Sequence, residues 1–475
     1  MMRLLSVLLL FAALLGAHVG SPDVFYEGAA GPFRLLVTIR PPVIVPGVAE
    51  IEIRSASPGV REIRIVPLPL TGDGAKFAPT PDVAQRSKED PQFYTGSLWL
   101  MSVGAWQVRI RAEGEQGTGE LSVPVPALPT RTQTMQTGIG ALLLTLTLIL
   151  AVGIVSIVGA GVREGQLDPG LEAPPSRVRR ARVVMAVTAV LVGAALYLGN
   201  QWWGAEAGNY SRIIYKPLEL AASLQPGGRL MLRMKDPGWL RRRMDDLLPD
   251  HGHLMHMYVL RLPEMERVWH LHPEQVETGV FTQDLPEMPA GRYQLFADIV
   301  HGSGIPETLQ AQIDLPALEG RPLTGDDSAG AGPALAQFDP GRTAAPLPGG
   351  GRMIWERGAE PLRVKQVAAF RFRVEDESGR PAADLEPYMG MAGHAAFVKT
   401  DGTVFAHVHP SGSVPMAALS LTAAAGADPH AGHAMATPSA VSFPYGLPQA
   451  GDYRIYVQIK RSGRIETGVF DARVQ

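Results

Sequence analysis

The sequence predicts a mainly β protein with three immunoglobulin-like antiparallel β-sandwich domains and a two-helix transmembrane hairpin. Short runs of alternating apolar and polar residues, separated by Gly and Pro, are typical of the strands of such sandwiches. Two long apolar stretches are typical of membrane-spanning helices. The 475 residues include 52 Gly and 41 Pro, which favours many turns, and this length is that of about three domains.

The composition excludes several classes of protein. Charged residues make up 19% of the chain, apolar residues make up 46% and the net charge is −3, so the chain is neither disordered nor a nucleic-acid binder. Cysteine is absent from the sequence, which excludes disulfide scaffolds, thiol nucleophiles, iron–sulfur clusters and Cys-ligated zinc or blue-copper sites. Histidine is unevenly distributed, because eleven of the 12 residues lie between positions 251 and 433.

The first residues, 1–20, have the pattern of a secretory signal peptide. Arg3 supplies a positive charge, an apolar run follows, and small residues end the segment. An uncleaved N-terminal anchor is the alternative interpretation. Both interpretations predict that the residues after this segment are exported.

Two apolar stretches predict transmembrane helices at residues 138–161 and 183–203. The first has 24 residues without a charge, enough to cross roughly 30 Å of hydrocarbon. The segment 162–182 between them carries five arginines, which indicates a cytoplasmic loop. Neither stretch holds a charged side chain, so we expect the helices to anchor the chain in the lipid bilayer rather than to form a pump or channel.

This topology places both ends of the hairpin outside the cytoplasm, in agreement with the signal peptide. We therefore expect the chain in the bacterial inner (cytoplasmic) membrane, with its N- and C-terminal domains in the periplasm or extracytoplasmic space. The exported residues divide at shifts of composition into three β-sandwich domains, at 22–127, 205–318 and 353–475. The Gly- and Pro-rich segment 319–352 is predicted to be a linker with little local structure.

The second and third domains repeat one another. The sequence HMYVLRLPEMERVWHLHP (256–273) aligns with HAAFVKTDGTVFAHVHP (394–410), and LPEMPAGRYQLFADI (285–299) aligns with LPQAGDYRIYVQI (447–459). The first domain shares only the later part of this pattern and has no histidine.

These motifs, a His, a turn and HxHP followed by LP and Gly-x-Tyr, resemble those of the YtkA-like and FixH-like extracytoplasmic domains, and more loosely the copper-carrier sandwiches of the CopC type. The resemblance covers the second and third domains. It implies a small β-sandwich that takes part in metal handling, with copper favoured, or in the assembly of a membrane oxidase.

The turns of the repeat predict two histidine triads. In the third domain, Asp401-Gly402 is a hairpin signal that we interpret as a type I′ turn, which places His394 opposite His409 with His407 on the same face. In the second domain, a three-residue loop at 263–265 places His256 opposite His272, with His270 beside them. A register shift of one residue would turn these rings to the other face.

Three imidazoles on one face suit Cu(II), Zn(II) or Ni(II), and we predict copper in preference to zinc. A further ligand is expected from water or from auxiliary residues, which are His251, His253, His430, His433 and Met435. The alternative interpretation is a ladder of hydrogen-bonded polar side chains without a metal.

Three functions follow from this pattern. The first is a membrane-anchored extracytoplasmic metal-binding protein that delivers its ion to a membrane oxidase or metal transporter. The second is a structural or assembly factor for such a partner, in which the histidines are incidental. An enzyme is disfavoured because no carboxylate recurs beside both triads: Glu274 aligns with Ser411, and Asp298 aligns with Gln458.

Overall fold

A computed structural model describes residues 22–168, 170–240, 242–422 and 439–475. The chain is mainly β, as predicted, with 27 strands in six antiparallel sheets in this part of the chain. The described residues between 22 and 128 and between 215 and 475 form one compact unit, and those between 129 and 214 form a second unit that contains the two long helices. The signal peptide predicted at 1–20 and the ligands predicted at His430, His433 and Met435 lie outside the described residues.

The first domain is a sandwich of a five-stranded and a four-stranded sheet. Its strands are β1 (Val24–Ala30), β2 (Phe33–Arg40), β3 (Gly47–Ser55), β4 (Val60–Pro69), β5 (Asp82–Val83), β6 (Gln85–Arg86), β7 (Phe93–Leu100), β8 (Gly104–Gly114) and β9 (Gly117–Ala127). The sheet orders are β1-β2-β3-β7-β6 and β5-β4-β8-β9. Alternate residues such as Leu35 and Val37 of one sheet pack against Val108 and Val123 of the other.

The second domain has the same layers. Its strands are β10 (Glu219–Gln225), β11 (Arg229–Lys235), β12 (His256–Leu262), β13 (Arg267–Leu271), β14 (Glu274–Glu277), β15 (Val280–Asp284), β16 (Gly291–Val300), β17 (Pro306–Leu315) and β18 (Ser328–Ala331). The sheet orders are β10-β11-β15-β14 and β17-β16-β12-β13-β18. The core between the sheets includes Met255, Met257 and Trp269.

The third domain repeats this arrangement. Its strands are β19 (Ala344–Pro346), β20 (Arg352–Trp355), β21 (Val367–Glu375), β22 (Leu385–Glu386), β23 (His394–Lys399), β24 (Phe405–Val408), β25 (Ala440–Gly446), β26 (Gly451–Arg461) and β27 (Arg464–Val474), with a short helix at Met416–Ser420. One sheet has the order β19-β20-β21-β25, and the other has the order β22-β26-β23-β24 with β27 paired to β26. The core contains Phe372, Phe397 and Phe443.

The segment 319–352 is not an unstructured linker, contrary to the sequence prediction. It contains β18, β19 and the first residue of β20, and β18 pairs with β13 so that Ser328 lies opposite His270. Its glycines serve close packing: a Cβ atom on Gly330 would lie 2.6 Å from the Thr467 Cβ. The Gly- and Pro-rich composition is typical of a flexible segment, but here it includes a strand that packs closely against the third domain.

The second unit contains two long helices, α1 (Thr137–Glu164) and α2 (Pro175–Ile213). Both are long and apolar enough to cross a membrane. They pack against each other, and a Cβ atom on Gly159 of α1 would meet the side chain of Met185 of α2. The helices extend beyond the predicted spans 138–161 and 183–203, and the predicted loop 162–182 shrinks to 165–174. Arginine is a good helix former and Pro175 occupies the first helical turn, so the charged flanks continue the helices.

The second and third domains pack through the outer faces of their five-stranded sheets. An apolar cluster between them includes Tyr258, Phe296 and Tyr456, and the rings of Phe296 and Phe405 stack with centroids 4.4 Å apart. The first domain contacts the third through β1, where the Glu27 N–H donates to the Ser411 carbonyl over 2.7 Å. The histidine-bearing strands β12, β13, β23 and β24 therefore lie at an interface between two domains.

Candidate metal centre

The strand registers place the predicted histidines opposite one another. In the second domain, Met257 pairs with Leu271 and Tyr258 pairs with His270, the register that puts His256 across from His272. In the third domain, Ala395 pairs with Val408, which puts His394 across from His409. Both registers are those expected from the sequence.

The turn of the third domain differs in type from the prediction. A type I′ turn needs a positive φ at both central residues, but only Gly402 has one, at 76°. Four residues, 400–403, lie between Lys399 and Val404, and the Lys399 N–H donates to the Val404 carbonyl over 2.9 Å. The Asp401 carboxylate accepts hydrogen bonds from the N–H and Oγ1 of Thr403, so side-chain bonding selects this turn while the register stays the same.

The histidine side chains point away from the core of their own domain and into the interface. Because successive residues of a strand face opposite sides, Met257 and Val259 enter the second-domain core while His256 and Tyr258 face the third domain. His256 is 2% exposed and His394 is 0% exposed. The two predicted histidine triads thus form a single buried cluster.

In the second domain, hydrogen bonds determine which ring nitrogens carry protons. The His256 Nε2 lies 2.9 Å from the Asp250 carbonyl oxygen, which only accepts, so this nitrogen is the donor and Nδ1 keeps a lone pair. The His270 Nδ1 lies 2.9 Å from the Gln458 Oε1, so we assign the proton to Nδ1 and the lone pair to Nε2. These two lone-pair nitrogens, His256 Nδ1 and His270 Nε2, face each other over 3.2 Å.

The third domain repeats the arrangement with different partners. The His394 Nε2 donates to the Tyr388 carbonyl over 3.2 Å, which leaves the lone pair on Nδ1. The His407 Nδ1 lies 3.6 Å from the Asp298 carboxylate, beyond hydrogen-bonding distance, and we assign the proton to this nitrogen and the lone pair to Nε2 because a carboxylate attracts an N–H group. The His394 Nδ1 and the His407 Nε2 are 3.1 Å apart.

Two lone pairs that face each other at this distance repel unless a cation lies between or beside them. Two imidazole nitrogens bound to one ion at 2.0–2.1 Å lie about 2.8–3.4 Å apart when they subtend an angle between 90° and 109°. The distances of 3.2 Å in the second domain and 3.1 Å in the third fall in this range. The pairs therefore fit the geometry of metal ligands.

The third histidine of each triad also offers a lone pair. The His272 Nδ1 bonds to the Asp327 carboxylate over 2.9 Å, and the His409 Nδ1 donates to the Val414 carbonyl over 3.3 Å. Among the residues that the structure describes, the Nε2 atoms of His272 and His409 are buried and have no hydrogen-bond partner. A buried polar atom without a partner is costly, and an ion at this position would satisfy it. A carboxylate on the opposite nitrogen, as at His272, is the usual support of a metal-ligating histidine.

Burial keeps all six rings neutral at pH 7. Desolvation is the main cause that lowers the pKa of each ring. In four rings the pKa lies well below 6.5, because neighbouring histidines lower it further; these rings are His256, His270, His394 and His407. The pKa values of His272 and His409 are also lowered, mainly by burial. Neutral imidazoles are the form that binds metal. Burial has the opposite effect on the carboxyl of Asp298, whose pKa it raises to about 7.

Two groups of three histidines form candidate metal centres. Within each group, one ring nitrogen of each histidine lies within 4.8 Å of those of the other two. The first group contains the predicted triad His256, His270 and His272. The second group contains His394 and His409 together with His251, which belongs to the second domain and was expected beside the other triad. His407 lies next to this second group through its contact with His394.

The auxiliary residue His253 lies beside the first group. Its ring stacks on His272 with centroids 4.0 Å apart, and its Nε2 lies 3.2 Å from the Asp326 carboxylate. Asp326 and Asp327 were not expected at the site, because both lie in the segment predicted to be a linker. Two adjacent carboxylates directly before β18 were the available signal.

A family model described as a domain of unknown function (DUF8832) matches residues 350–475. A search of curated proteins gave no match. A tetra-tandem repeat in the extending region of a large adhesion protein is similar at 8% identity and a TM-score of 0.18, with coverage of 91% of this chain and 72% of that chain. Dimeric latent PorU from Porphyromonas gingivalis is similar at 9% identity and a TM-score of 0.15, with coverage of 96% and 34%. Similarity at this level says nothing about what the chain binds.

Proposed function

We propose that the chain is a membrane-anchored extracytoplasmic metal-binding protein that handles or delivers copper. The observation that carries this proposal is the repeated pair of facing ring nitrogens, His256 with His270 and His394 with His407. Hydrogen-bond acceptors lie on the far side of the first three rings, and the Asp298 carboxylate lies 3.6 Å from the far side of the His407 ring. A ladder of hydrogen-bonded polar side chains, the alternative, would need one donor and one acceptor at each of these contacts.

The ligand set favours copper over the other divalent ions. Sites built from nitrogen ligands bind Cu(II) more tightly than Ni(II) or Zn(II), and the sequence offers no thiolate that would favour a structural zinc site. The resemblance of the HxHP motifs to YtkA-like, FixH-like and CopC-type domains supports the same ion.

The site has one partly exposed edge through which an ion could pass. The His253 side chain is 30% exposed and that of Asp326 is 36% exposed, whereas His272, on which His253 stacks, is only 3% exposed. In this proposal, His253 receives or releases the ion by ligand exchange, and the buried triad retains it. Helices α1 and α2 anchor this domain pair next to a membrane oxidase or transporter in the bacterial inner membrane.

A catalytic role is disfavoured by the roles of the nearby carboxylates. Asp327 bonds to the ring and the backbone N–H of His272, and Asp298 accepts from Thr308 and faces His407, so both orient ligands rather than activate a water molecule. The docking of the histidine-free first domain on the third favours a second candidate function, an assembly factor that recognises a protein partner.

Calorimetric titration of the full chain with Cu(II) tests the proposal. We expect uptake tighter than about micromolar, the loss of one ion in His270→Ala and the loss of the other in His407→Ala. His301→Ala is the matched control, because His301 is a buried histidine that pairs with Asp246 at 3.1 Å outside the cluster. Uptake weaker than micromolar, or equal uptake by all variants, would reject the metal function and favour the assembly factor.

A further inference from the structure

We infer that the two candidate centres form one dinuclear site shared by the second and third domains, in which His251 crosses the domain boundary to ligate the third-domain ion. This inference rests on the proposed metal function and goes beyond it, because it assigns a ligand from one domain to the ion of the other.

The backbone places His251 at the tip of a tight turn. Asp250 and His253 exchange both backbone hydrogen bonds, and the two residues between them, His251 and Gly252, have φ values of 48° and 88°. Left-handed φ values are uncommon for residues other than Gly, and a two-residue turn with both of them positive is a type I′ turn.

The ring of His251 lies closer to the neighbouring domain than to its own triad. Its centroid is 5.0 Å from that of His409 and 5.1 Å from that of His394, but 6.2 Å from that of His256. The repeat breaks at this position. The third domain has the same turn, with Met389 at φ 50° and Gly390 at φ 78°, but a methionine replaces the histidine. The histidine is therefore a feature of one domain that completes the site of the other.

The two centres are direct neighbours. The ring centroid of His407 lies 5.4 Å from that of His256 and 5.4 Å from that of His270, and the rings of His270 and His394 are 6.3 Å apart. Ions held by these rings would share a single cavity and sense each other's charge and spin.

The surrounding carboxylates can compensate the charge of two divalent ions. Asp298 faces His407, Asp327 bonds to His272 and Asp326 bonds to His253. Asp250 is 7% exposed and is fixed by the Ala417 N–H, which donates to its carboxylate over 2.7 Å. Buried cations need paired anions, and four carboxylates around eight imidazoles meet this need.

The test uses Cu(II) as the probe and His251→Asn as the variant, because Asn tolerates a positive φ and the turn should persist. Electron paramagnetic resonance of the full chain at two equivalents should show dipolar broadening and a half-field transition. In His251→Asn, the dissociation constant of one ion should rise more than about 10-fold, while the other ion binds as before. Loss of a residue that only supports a metal ligand already lowers metal affinity by about this factor. The control His301→Asn should keep both ions and the coupled spectrum.

Each outcome separates this inference from the proposed function. Two Cu(II) ions with independent spectra, or unchanged affinity in His251→Asn, would overturn the shared site and leave the metal function standing. Absence of Cu(II) uptake by the wild-type chain would overturn both.

Discussion

At the residue scale, the decisive property of the cluster is the proton position on each imidazole. Partners outside the triads set it: the carbonyl of Asp250 for His256, the amide of Gln458 for His270 and the carboxylate of Asp327 for His272. Gln458 belongs to the third domain, so the tautomer of a second-domain histidine depends on its neighbour.

We predict that Asp298→Asn weakens the binding of one metal ion. Asp298 faces the His407 Nδ1 and, with a pKa of about 7, is mostly ionised at pH 8, where the charge of the carboxylate strengthens the opposite nitrogen as a ligand. The substitution keeps the shape of the side chain and removes this charge, and we expect the affinity for the third-domain ion to fall about 10- to 100-fold. Competition with a chelator of known affinity measures the change.

The matched control for this variant is Asp314→Asn on the adjacent strand. Asp314 pairs with Arg292 and its side chain is 73% exposed, so its loss should leave metal affinity unaltered. Equal affinities for Asp298→Asn and the wild type would show that Asp298 does not support His407.

At the element scale, strand pairing could be predicted from the sequence because side chains alternate along a strand. The loop at 263–265 and the turn at 400–403 fix the registers that align His256 with His272 and His394 with His409. The predicted type I′ turn was wrong, because hydrogen bonds between Asp401 and Thr403 compete with the backbone preference of the Asp-Gly pair. The register was insensitive to that difference.

Strand β18 could not be predicted from local pattern. Its residues, Ser328 to Ala331, are small and show no alternation of large apolar and polar side chains. They form a strand because the edge of β13 is free to pair with them. Tertiary contacts, such as the close packing of Gly330 against Thr467, thus determine a strand that local propensity does not predict.

At the scale of the whole molecule, the sequence predicted which face of each sheet carries the histidines but not what covers that face. The repeat made two equivalent triads visible, whereas the packing of Tyr258 and Phe296 against Phe405 brings the triads together. Complementarity between two surfaces depends on side chains far apart in sequence. For this reason the sequence suggested His251 as an auxiliary ligand but not its position beside His394 and His409.

The metal-free protein should lose stability as the pH falls below about 6.5. The pKa values of six buried histidines are lowered in the folded state, so the unfolded chain binds more protons once the pH drops below the ordinary histidine pKa, and the free energy of unfolding decreases. Asp298 has the opposite effect on the free energy of unfolding. Its pKa is raised to about 7 in the folded state, so the folded chain binds more protons at this group than the unfolded chain does between about pH 7 and 4.

The pKa of His301 is also raised, because the lowering effect of burial is exceeded by its bonds to Glu307 and Asp246. The six lowered groups outweigh these two, so the urea midpoint of chelator-treated protein should decrease from pH 7.5 to pH 5. Saturation with Cu(II) at pH 7.5 should raise the midpoint, since the ion binds the folded state. A midpoint that is constant over this pH range would contradict the burial of neutral histidines.

The most direct measurement is X-ray diffraction at the copper absorption edge from crystals of the Cu(II)-loaded chain. We expect anomalous peaks bonded to the His256 Nδ1 and His270 Nε2 in one centre, and to the His394 Nδ1 in the other. An anomalous map without a peak between these rings, or with copper only at surface residues, would contradict it.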